Sequence, residues 1–264
     1  MIYINEEKYE PKHFSDGTLD MRIPIDLLVN KPVHIAWYFE NNEELVTLIF
    51  ITRHLQTNGI HNIDLTLPYV PNGRQDRAPS SADVFTLKYF AEIINSLNFK
   101  TVFIFDPHSD VSAAVLNHSK VITARDNIYY TIRDIGEEDL LMFYPDEGAM
   151  KRYSEMVPEE YIHGVKKRDW LSHQIQTLNI KTDDIDIVGR NILMVDDILS
   201  SGKTLLRAAE QLKKMGVNKI YLYASHCENQ VEKSPLLTSD IVTEIYTTNS
   251  LLTYRHPKIH VINI

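Results

Sequence analysis

Short apolar runs alternate with amphipathic stretches along most of the chain, and this alternation restricts the fold more than any other feature. Residues 102–105 form a typical run of strand length, whereas residues 43–58 carry apolar side chains at helical spacing, among them Leu45, Leu48 and Leu55. Strands that alternate with helices are typical of parallel sheets built from βαβ units. The sequence therefore predicts an α/β fold with mainly parallel sheets flanked by helices.

The length of 264 residues suits two small α/β domains. We expect an N-terminal domain over residues 1–143 and a C-terminal domain over residues 144–264. The last strand, near residues 259–264, can lie in the second domain or return to the first. The pattern alone is also compatible with a single large sheet or a barrel.

Charge and composition exclude several classes of function. Lys and Arg number 27 against 36 Asp and Glu, and this net charge of −9 argues against non-specific binding of nucleic acid or of a membrane surface. The single cysteine, Cys227, excludes an internal disulfide and a zinc site built from cysteines. We find neither a signal-peptide pattern nor an apolar run near the roughly 20 residues that span a bilayer. We therefore expect a cytoplasmic protein.

Polar clusters follow several predicted strands at the point where each strand ends. In parallel α/β folds, ligands bind at the carboxyl ends of the strands, so these clusters mark candidate site residues. The four clusters are residues 74–77, Asp106 with His108, Asp146, and Asp196 with Asp197.

The clearest of these patterns joins a strand, predicted over residues 191–195, to Asp196 and Asp197, a short polar loop and a helix. Backbone N–H groups of such a loop and the positive end of the helix bind phosphate, and Ser201 and Thr204 add hydroxyl donors. The two carboxylates suit ribose hydroxyls or a magnesium ion that bridges to phosphate. The segment is not a P-loop, because that motif needs a glycine at position 197.

This segment resembles the phosphoribosyl-diphosphate motif that phosphoribosyltransferases share with ribose-phosphate diphosphokinases. Other segments, in the order and spacing of the diphosphokinase family, resemble that family alone. They are residues 14–17 (Phe-Ser-Asp-Gly), the ATP-binding segment 68–77, the Asp-x-His element 106–108, the Pro-Asp-x-Gly-x-x-Lys-Arg segment 145–152 and the catalytic Lys-x-Arg flap 166–168.

The resemblance implies two tandem domains of phosphoribosyltransferase type, a requirement for Mg²⁺, and assembly into a homodimer or larger homo-oligomer. It also assigns roles to individual residues. Catalysis is implied for Lys166, Arg168 and His108; ATP binding for Phe14, Asp16, Arg74, Gln75, Asp76, Arg77 and Asp146; sugar-phosphate binding for Asp196, Asp197, Ser200, Ser201, Gly202, Lys203 and Thr204; and magnesium binding for His108 and Asp146.

The implied reaction is that of a transferase of nucleotide biosynthesis. The β,γ-diphosphoryl group of MgATP passes to the anomeric 1-hydroxyl of ribose 5-phosphate, which gives phosphoribosyl diphosphate and AMP. Five residues depart from the family pattern: Thr18 stands for a glutamate, Asn72-Gly73 for Tyr-Ala, Ser200 for an aspartate and Lys203 for a glycine. The alternatives are the same chemistry on a substituted acceptor such as ADP-ribose (NAD metabolism), a phosphoribosyltransferase, and a non-catalytic regulatory homologue.

Overall fold

The computed structural model of the chain describes residues 1–29, 31–168 and 175–264, with the backbone alone described at 166–168 and 175–178. The chain divides into two compact units, Met1–Thr123 and Ala124–Ile264. Each unit contains its own sheet and its own hydrophobic core. They are therefore described one at a time.

The first unit is built on a six-stranded sheet with the order β2-β1-β5-β6-β7-β8. Strands β5 to β8 are parallel, β1 is antiparallel to both of its neighbours, and β3 and β4 form a separate antiparallel pair. The elements are β1 (Ile2–Ile4), β2 (Glu7–Tyr9), β3 (Lys12–His13), β4 (Leu19–Asp20), a 3₁₀ helix (Ile25–Leu27), β5 (Val33–Trp37), α1 (Glu43–Thr57), β6 (Ile63–Leu67), α2 (Thr86–Ser96), β7 (Thr101–Phe105), α3 (Asp110–Val115) and β8 (Ser119–Ile122).

The core of the first unit follows directly from the periodicity of its sequence. Along β5 the alternate residues Val33, Ile35 and Trp37 are buried, as the two-residue period of a strand requires. On α1, Leu48 and Leu55 lie on one face and are fully buried. Each such burial removes a large apolar side chain from water and contributes about 1.5–3 kcal/mol to folding.

The second unit is built on a seven-stranded sheet with the order β11-β10-β9-β12-β13-β14-β15. All neighbouring strands are parallel except β10 and β11, which pair antiparallel. The elements are α4 (Arg125–Ile135), β9 (Leu140–Tyr144), α5 (Glu147–Tyr153), β10 (Tyr161–Arg168), β11 (Ile175–Lys181), β12 (Asn191–Leu199), α6 (Lys203–Lys214), β13 (Ile220–Cys227), a 3₁₀ helix (Asn229–Lys233), α7 (Pro235–Thr238), β14 (Glu244–Thr248) and β15 (Ile259–Ile262).

The central strands of the second sheet are covered on both faces. Every residue of β13 is buried, and β12 is fully buried from Ile192 to Val195. Such continuous apolar runs are typical of parallel strands with a helix layer on each side. Helix α6 packs its apolar stripe, which includes Leu205 and Leu212, into this core. The predicted α/β class with mainly parallel sheets is thus confirmed.

The division between the units falls after Thr123 and not between residues 143 and 144. Residues 124–143 lie in the second unit because side-chain bonds hold them to its sheet. The Tyr246 hydroxyl donates to Asp134 (3.0 Å) and the Lys219 ammonium to Glu137 (2.7 Å). Strand β15 pairs with β14 in the second sheet, so the last strand does not return to the first unit. None of the helices in the described ranges is long and apolar enough to cross a membrane.

Candidate functional site

In each sheet, several of the predicted site residues lie at or just after the carboxyl ends of two neighbouring parallel strands. In the first unit these are β6 and β7, which pair directly. In the second unit they are β9 and β12, which also pair directly. Adjacent parallel strands end at the same edge of a sheet, so each pair of loops lies close together.

The loop after β6 makes a tight turn before its charged residues. Asn72 has a left-handed backbone (φ 63°), the N–H of Gly73 donates to the carbonyl of Val70 (3.2 Å), and the N–H of Gln75 donates to the carbonyl of Asn72 (3.0 Å). A Cβ at Gly73 would lie 3.0 Å from the Val70 carbonyl and 3.8 Å from Ser112 Oγ on α3. The turn therefore packs against the element that follows β7.

This turn presents two arginines to solvent. Arg74 is exposed, and Arg77 is 82% exposed with its Nε 3.5 Å from a carboxylate oxygen of Asp76. Gln75 has a different role, because its side-chain oxygen accepts from the hydroxyl of Thr86 (2.8 Å) at the start of α2. The loop can thus hold an anion with two guanidinium groups while Gln75 fixes its position.

The loop after β7 combines a buried carboxylate with a half-buried imidazole. Asp106 is 2% exposed, has a left-handed backbone (φ 36°), and donates its N–H to the carbonyl of Ile122 (2.9 Å) on β8. His108 follows it and is half-buried. The buried hydroxyls of Ser109 and Ser112 have no hydrogen-bond partner within the described part of the chain. Buried hydroxyls without a partner are costly.

Phe14 and Asp16 lie in a different part of the first unit. Phe14 is 57% exposed and lines a groove of about 410 Å³ with side chains that include Phe50 and His54. The described residues that line this groove do not come from the loop after β6. Asp16 accepts hydrogen bonds from the backbone N–H (2.9 Å) and hydroxyl (2.7 Å) of Thr18, which lower the pKa of the Asp16 carboxyl. Thr18 thus fixes the turn in which Asp16 lies.

In the second unit, Asp146 follows β9 and caps helix α5. One of its carboxylate oxygens accepts from the N–H of Ala149 (3.0 Å), an arrangement that satisfies an otherwise unpaired helix donor. Gly148 makes room for this cap, since a Cβ there would lie 3.2 Å from the same oxygen. The cap fixes Asp146 at the edge of the sheet where β12 also ends.

Strand β12 is longer than its predicted extent and includes the two acids. It continues to Leu199 because the backbone at Asp196 and beyond remains paired with β13. Asp196 accepts from the N–H of Asp197 (2.9 Å), and the guanidinium of Arg152 on α5 lies 3.5 Å from the Asp197 carboxylate. Both partners of this ion pair are largely buried, so Arg152 offsets one of the two negative charges where water screens little.

The loop from Ser200 to Gly202 leads directly into helix α6. Gly202 is the N-cap residue with a left-handed backbone (φ 70°), and a Cβ there would lie 2.2 Å from Leu236 and 2.9 Å from the Ser234 hydroxyl. That hydroxyl donates to the carbonyl of Ser201 (2.8 Å). Because glycine has no side chain to cap the helix, the first N–H groups of α6 are available to an anion.

The predicted flap lies on the hairpin β10–β11. Lys166 and Arg168 occupy the last part of β10, and their backbone partners on β11 are Leu178 and Ile175. The register shifts between Lys167 and Arg168. The side chains of Lys166 and Arg168 lie outside the described residues.

Comparisons with known proteins agree with this architecture. Residues 149–249 match the phosphoribosyl transferase domain family. A ribose-phosphate pyrophosphokinase from Thermococcus kodakarensis is 28% identical over 254 residues, which cover 92% of this chain and 86% of the relative. One from Mycoplasma genitalium is 25% identical and covers 96% of this chain and 78% of the relative. Over most of its length the chain is similar to the ribose-phosphate pyrophosphokinases.

The fold of this chain is also found in a solved structure. Phosphoribosylpyrophosphate synthetase from Mycobacterium smegmatis is similar with a TM-score of 0.76 over 96% of this chain and 85% of its own, at 17% sequence identity. This likeness shows the shared fold, with its domains of phosphoribosyltransferase type. It covers both units and not only the part that matches the family model.

Two residues that contact predicted site residues were given no role of their own by the sequence analysis. Arg152 holds Asp197, as described above. Glu228 follows β13 and accepts a hydrogen bond from the Ser200 hydroxyl (2.5 Å). In this structure the Ser200 hydroxyl donates to Glu228, and sugar-phosphate binding by Ser200 stays a prediction. The sequence does contain a signal for Glu228, because this acid directly follows strand β13 just as other predicted site acids follow their strands.

Proposed function

We propose that this chain transfers the β,γ-diphosphoryl group of MgATP to the anomeric hydroxyl of ribose 5-phosphate. One observation carries the proposal. At the end of β12, two carboxylates are followed by a glycine-capped helix whose first N–H groups face no capping side chain. This arrangement suits a sugar that carries a phosphate, because the carboxylates accept from hydroxyls while the helix end attracts an anion.

The second unit would bind the acceptor. Asp196 and Asp197 would accept hydrogen bonds from ribose hydroxyls, with Arg152 keeping the Asp197 carboxylate in place. The backbone of Gly202 and the first turn of α6, with the Ser201 and Thr204 hydroxyls, would donate to the 5-phosphate; Lys203 is exposed and adds a positive charge near it.

The first unit would bind ATP. Arg74 and Arg77, both exposed, would contact the phosphates of the nucleotide. Gln75 and Asp76 would position that loop, and His108 would lie near the phosphates at the end of β7. Phe14 and Asp16 lie in a different part of this unit, and they would contact the ATP of a neighbouring subunit in a homo-oligomer.

The described donors fit a magnesium ion that arrives with ATP. Such an ion is usually held by one or two side chains together with phosphate oxygens and water. His108 in the first unit offers an imidazole and Asp146 in the second unit offers a carboxylate, and each side chain is of a type that can take one coordination position of such an ion. Within the described ranges, no three His, Cys, Asp or Glu side chains form a metal cluster of their own. When bound, Mg²⁺ supplies charge neutralisation of the phosphates.

The chemistry needs positioning and charge stabilisation more than covalent catalysis. The anomeric oxygen would attack the β-phosphorus, the bond from that phosphorus to the α,β-bridging oxygen would break, and AMP would leave. The proton of the hydroxyl would pass to solvent. We assign Lys166 and Arg168 to the stabilisation of the charge that develops on the transferred group.

The test is an incubation of the protein with MgATP and one acceptor at a time, followed by phosphorus NMR. We expect AMP and a new sugar diphosphate with ribose 5-phosphate, and neither product without an acceptor. If AMP forms only with ADP-ribose, the acceptor is a substituted ribose phosphate and not ribose 5-phosphate. No AMP with either acceptor would contradict the proposal.

A further inference from the structure

A hydrogen bond joins the sugar-phosphate loop to the next strand end. The hydroxyl of Ser200, which follows β12, donates to a carboxylate oxygen of Glu228, which follows β13, over 2.5 Å. The backbone N–H of Glu228 also donates to the carbonyl of Leu199 (2.8 Å). Glu228 is half-buried. Glu228 is therefore held at the loop by two bonds, one accepted by its carboxylate from Ser200 and one donated by its backbone N–H to Leu199.

This bond changes what the loop offers to a ligand. A serine hydroxyl has one proton, and here that proton is directed to Glu228. Ser200 can therefore accept a hydrogen bond but cannot donate one to a phosphate oxygen while the bond persists. An ionised carboxylate also only accepts. The surface formed by these two side chains suits hydrogen-bond donors and disfavours phosphate, which is an acceptor and an anion.

The remainder of the loop has the opposite character. Gly202 and the start of α6 present N–H donors, and Ser201 and Thr204 add hydroxyls. The loop thus has a donating part, suited to a phosphate, and an accepting part at Ser200 and Glu228. A sugar phosphate carries both matching groups, the phosphate and the hydroxyls.

We propose that Glu228 is an acceptor-binding residue, whose carboxylate accepts a hydrogen bond from a sugar hydroxyl. The inference rests on the proposed function and extends it to a residue outside the motif. It also accounts for Ser200, which stands where the family pattern has an aspartate: the missing carboxylate is supplied by the neighbouring strand end.

A purely structural role for the bond makes a different prediction. Glu228→Gln keeps the shape of the side chain and an oxygen that accepts from Ser200, but it removes the charge. If the bond only ties two loops together, this variant behaves as the wild type. If the carboxylate binds a sugar hydroxyl, the KM for ribose 5-phosphate rises about tenfold to a hundredfold, the usual effect of losing a hydrogen bond to a charged group. The KM for ATP stays within about twofold.

The experiment measures AMP formation at varied ribose 5-phosphate and at varied ATP. Glu232→Gln is the matched control, because Glu232 is an exposed glutamate four residues along the chain, and we expect wild-type constants for it. In the double variant Ser200→Asp with Glu228→Gln, the carboxylate is at position 200 and its hydrogen-bond partner is at position 228. This double variant should recover most of the affinity for ribose 5-phosphate. A wild-type KM for ribose 5-phosphate in Glu228→Gln would overturn the inference.

A second measurement separates this inference from the proposed function. Calorimetric titration of ribose 5-phosphate into the wild type and into Glu228→Gln, without ATP, reports acceptor binding even if no turnover is found. Weaker binding by the variant supports the role of Glu228, and equal binding overturns it. If Glu228→Gln melts at a lower temperature than the wild type, Ser200→Ala replaces it. Ser200→Ala leaves the Glu228 carboxylate in place but removes its hydrogen bond from Ser200, and we expect ribose 5-phosphate to bind several-fold more weakly. Unchanged binding of ribose 5-phosphate by this variant would overturn the inference.

Discussion

At the scale of single residues, Gly202 shows how closely the sugar-phosphate loop is fitted to its surroundings. Its left-handed backbone (φ 70°) is a conformation that glycine adopts at little cost. The space for a side chain is absent as well, since a Cβ would lie 2.2 Å from Leu236. The sequence indicated a turn at this glycine, but not the contact with Leu236, which lies 34 residues further along the chain.

Gly202→Ala should therefore lower the free energy of unfolding by about 2–4 kcal/mol, from backbone strain and overpacking together. Gly59→Ala is the control, because Gly59 has a similar backbone (φ 80°) with nothing within 4 Å of a Cβ. We expect it to cost about 1 kcal/mol. Urea unfolding followed by circular dichroism measures both, and equal losses would show that Leu236 does not restrict the site.

Glu44 predicts a dependence of stability on pH in the first unit. Burial alone would raise the pKa of Glu44, but hydrogen bonds from the N-terminal ammonium, the Trp37 indole (2.8 Å) and the N–H of Glu40 (2.8 Å) hold it below its ordinary value. A carboxyl whose pKa is lowered in the folded state contributes stability above its unfolded pKa. That contribution is lost as pH falls through the folded pKa.

Glu44→Gln should thus lower the free energy of unfolding by about 1–2 kcal/mol at pH 7, and the difference from wild type should shrink below about pH 4.5. Unfolding can be followed by Trp37 fluorescence in a Trp170→Phe background, since the chain has two tryptophans. Glu6→Gln, at an exposed glutamate, is the control. A difference that stays constant down to pH 3 would rule out this source of stability.

Cys227 provides a chemical test of the second unit. Burial raises the pKa of its thiol to about 12, so the reactive thiolate is scarce at pH 8 and no reagent reaches it in the folded state. We expect almost no labelling by an aromatic disulfide reagent in native protein and complete labelling in urea. Rapid native labelling would mean that the end of β13 is open.

At the scale of elements, a strong turn signal places a strand end well. The apolar run at 102–105 ends where β7 ends, because Asp106-Pro107 follows it. Helix α2 begins at Thr86. The reason is local: the Asp83 carboxylate accepts from the N–H of Ser80 (2.9 Å) and caps a turn that precedes the helix.

Elements that depend on distant partners were beyond the reach of the sequence. Strand β12 passes its predicted end at Val195 because β13 continues beside it, and Ser200 meets Glu228 only through that pairing. Strand β8, with exposed Val121 and Ile122, carries no apolar alternation that marks it as a strand. The strand-end clusters, by contrast, were predictable, because parallel strands bring their carboxyl ends to one edge.

The hairpin β10–β11 carries the prediction that belongs to an element. Lys166→Ala or Arg168→Ala should lower kcat about a hundredfold to a thousandfold, the usual loss when one charge-stabilising group is removed. ATP binding, measured by calorimetry, should change by less than about threefold. Lys181→Ala, on the same hairpin but paired opposite His163, is the control with wild-type turnover expected. Unchanged kcat in both flap variants would contradict the proposed role of the hairpin.

At the scale of the whole molecule, the chain consists of two units with separate sheets and separate cores. The net charge of −9 argues against long polyanions as ligands. Small phosphate ligands are compatible with this net charge, because positive groups are concentrated locally. Arg74 and Arg77 lie on one loop of the first unit, and α6 of the second unit presents N–H groups that no side chain caps. The proposed division of labour, with the nucleotide bound by one unit and the sugar phosphate by the other, follows from these local features.

The most direct test of diphosphoryl transfer follows the β-phosphorus of ATP. With ATP labelled by ³²P at the β-position and ribose 5-phosphate as acceptor, the label should move to the sugar product while the AMP remains unlabelled. The products can be separated by anion-exchange chromatography. Label recovered in ADP would show γ-phosphoryl transfer, and label released as inorganic pyrophosphate without dependence on ribose 5-phosphate would show hydrolysis. Either result would contradict the proposed activity.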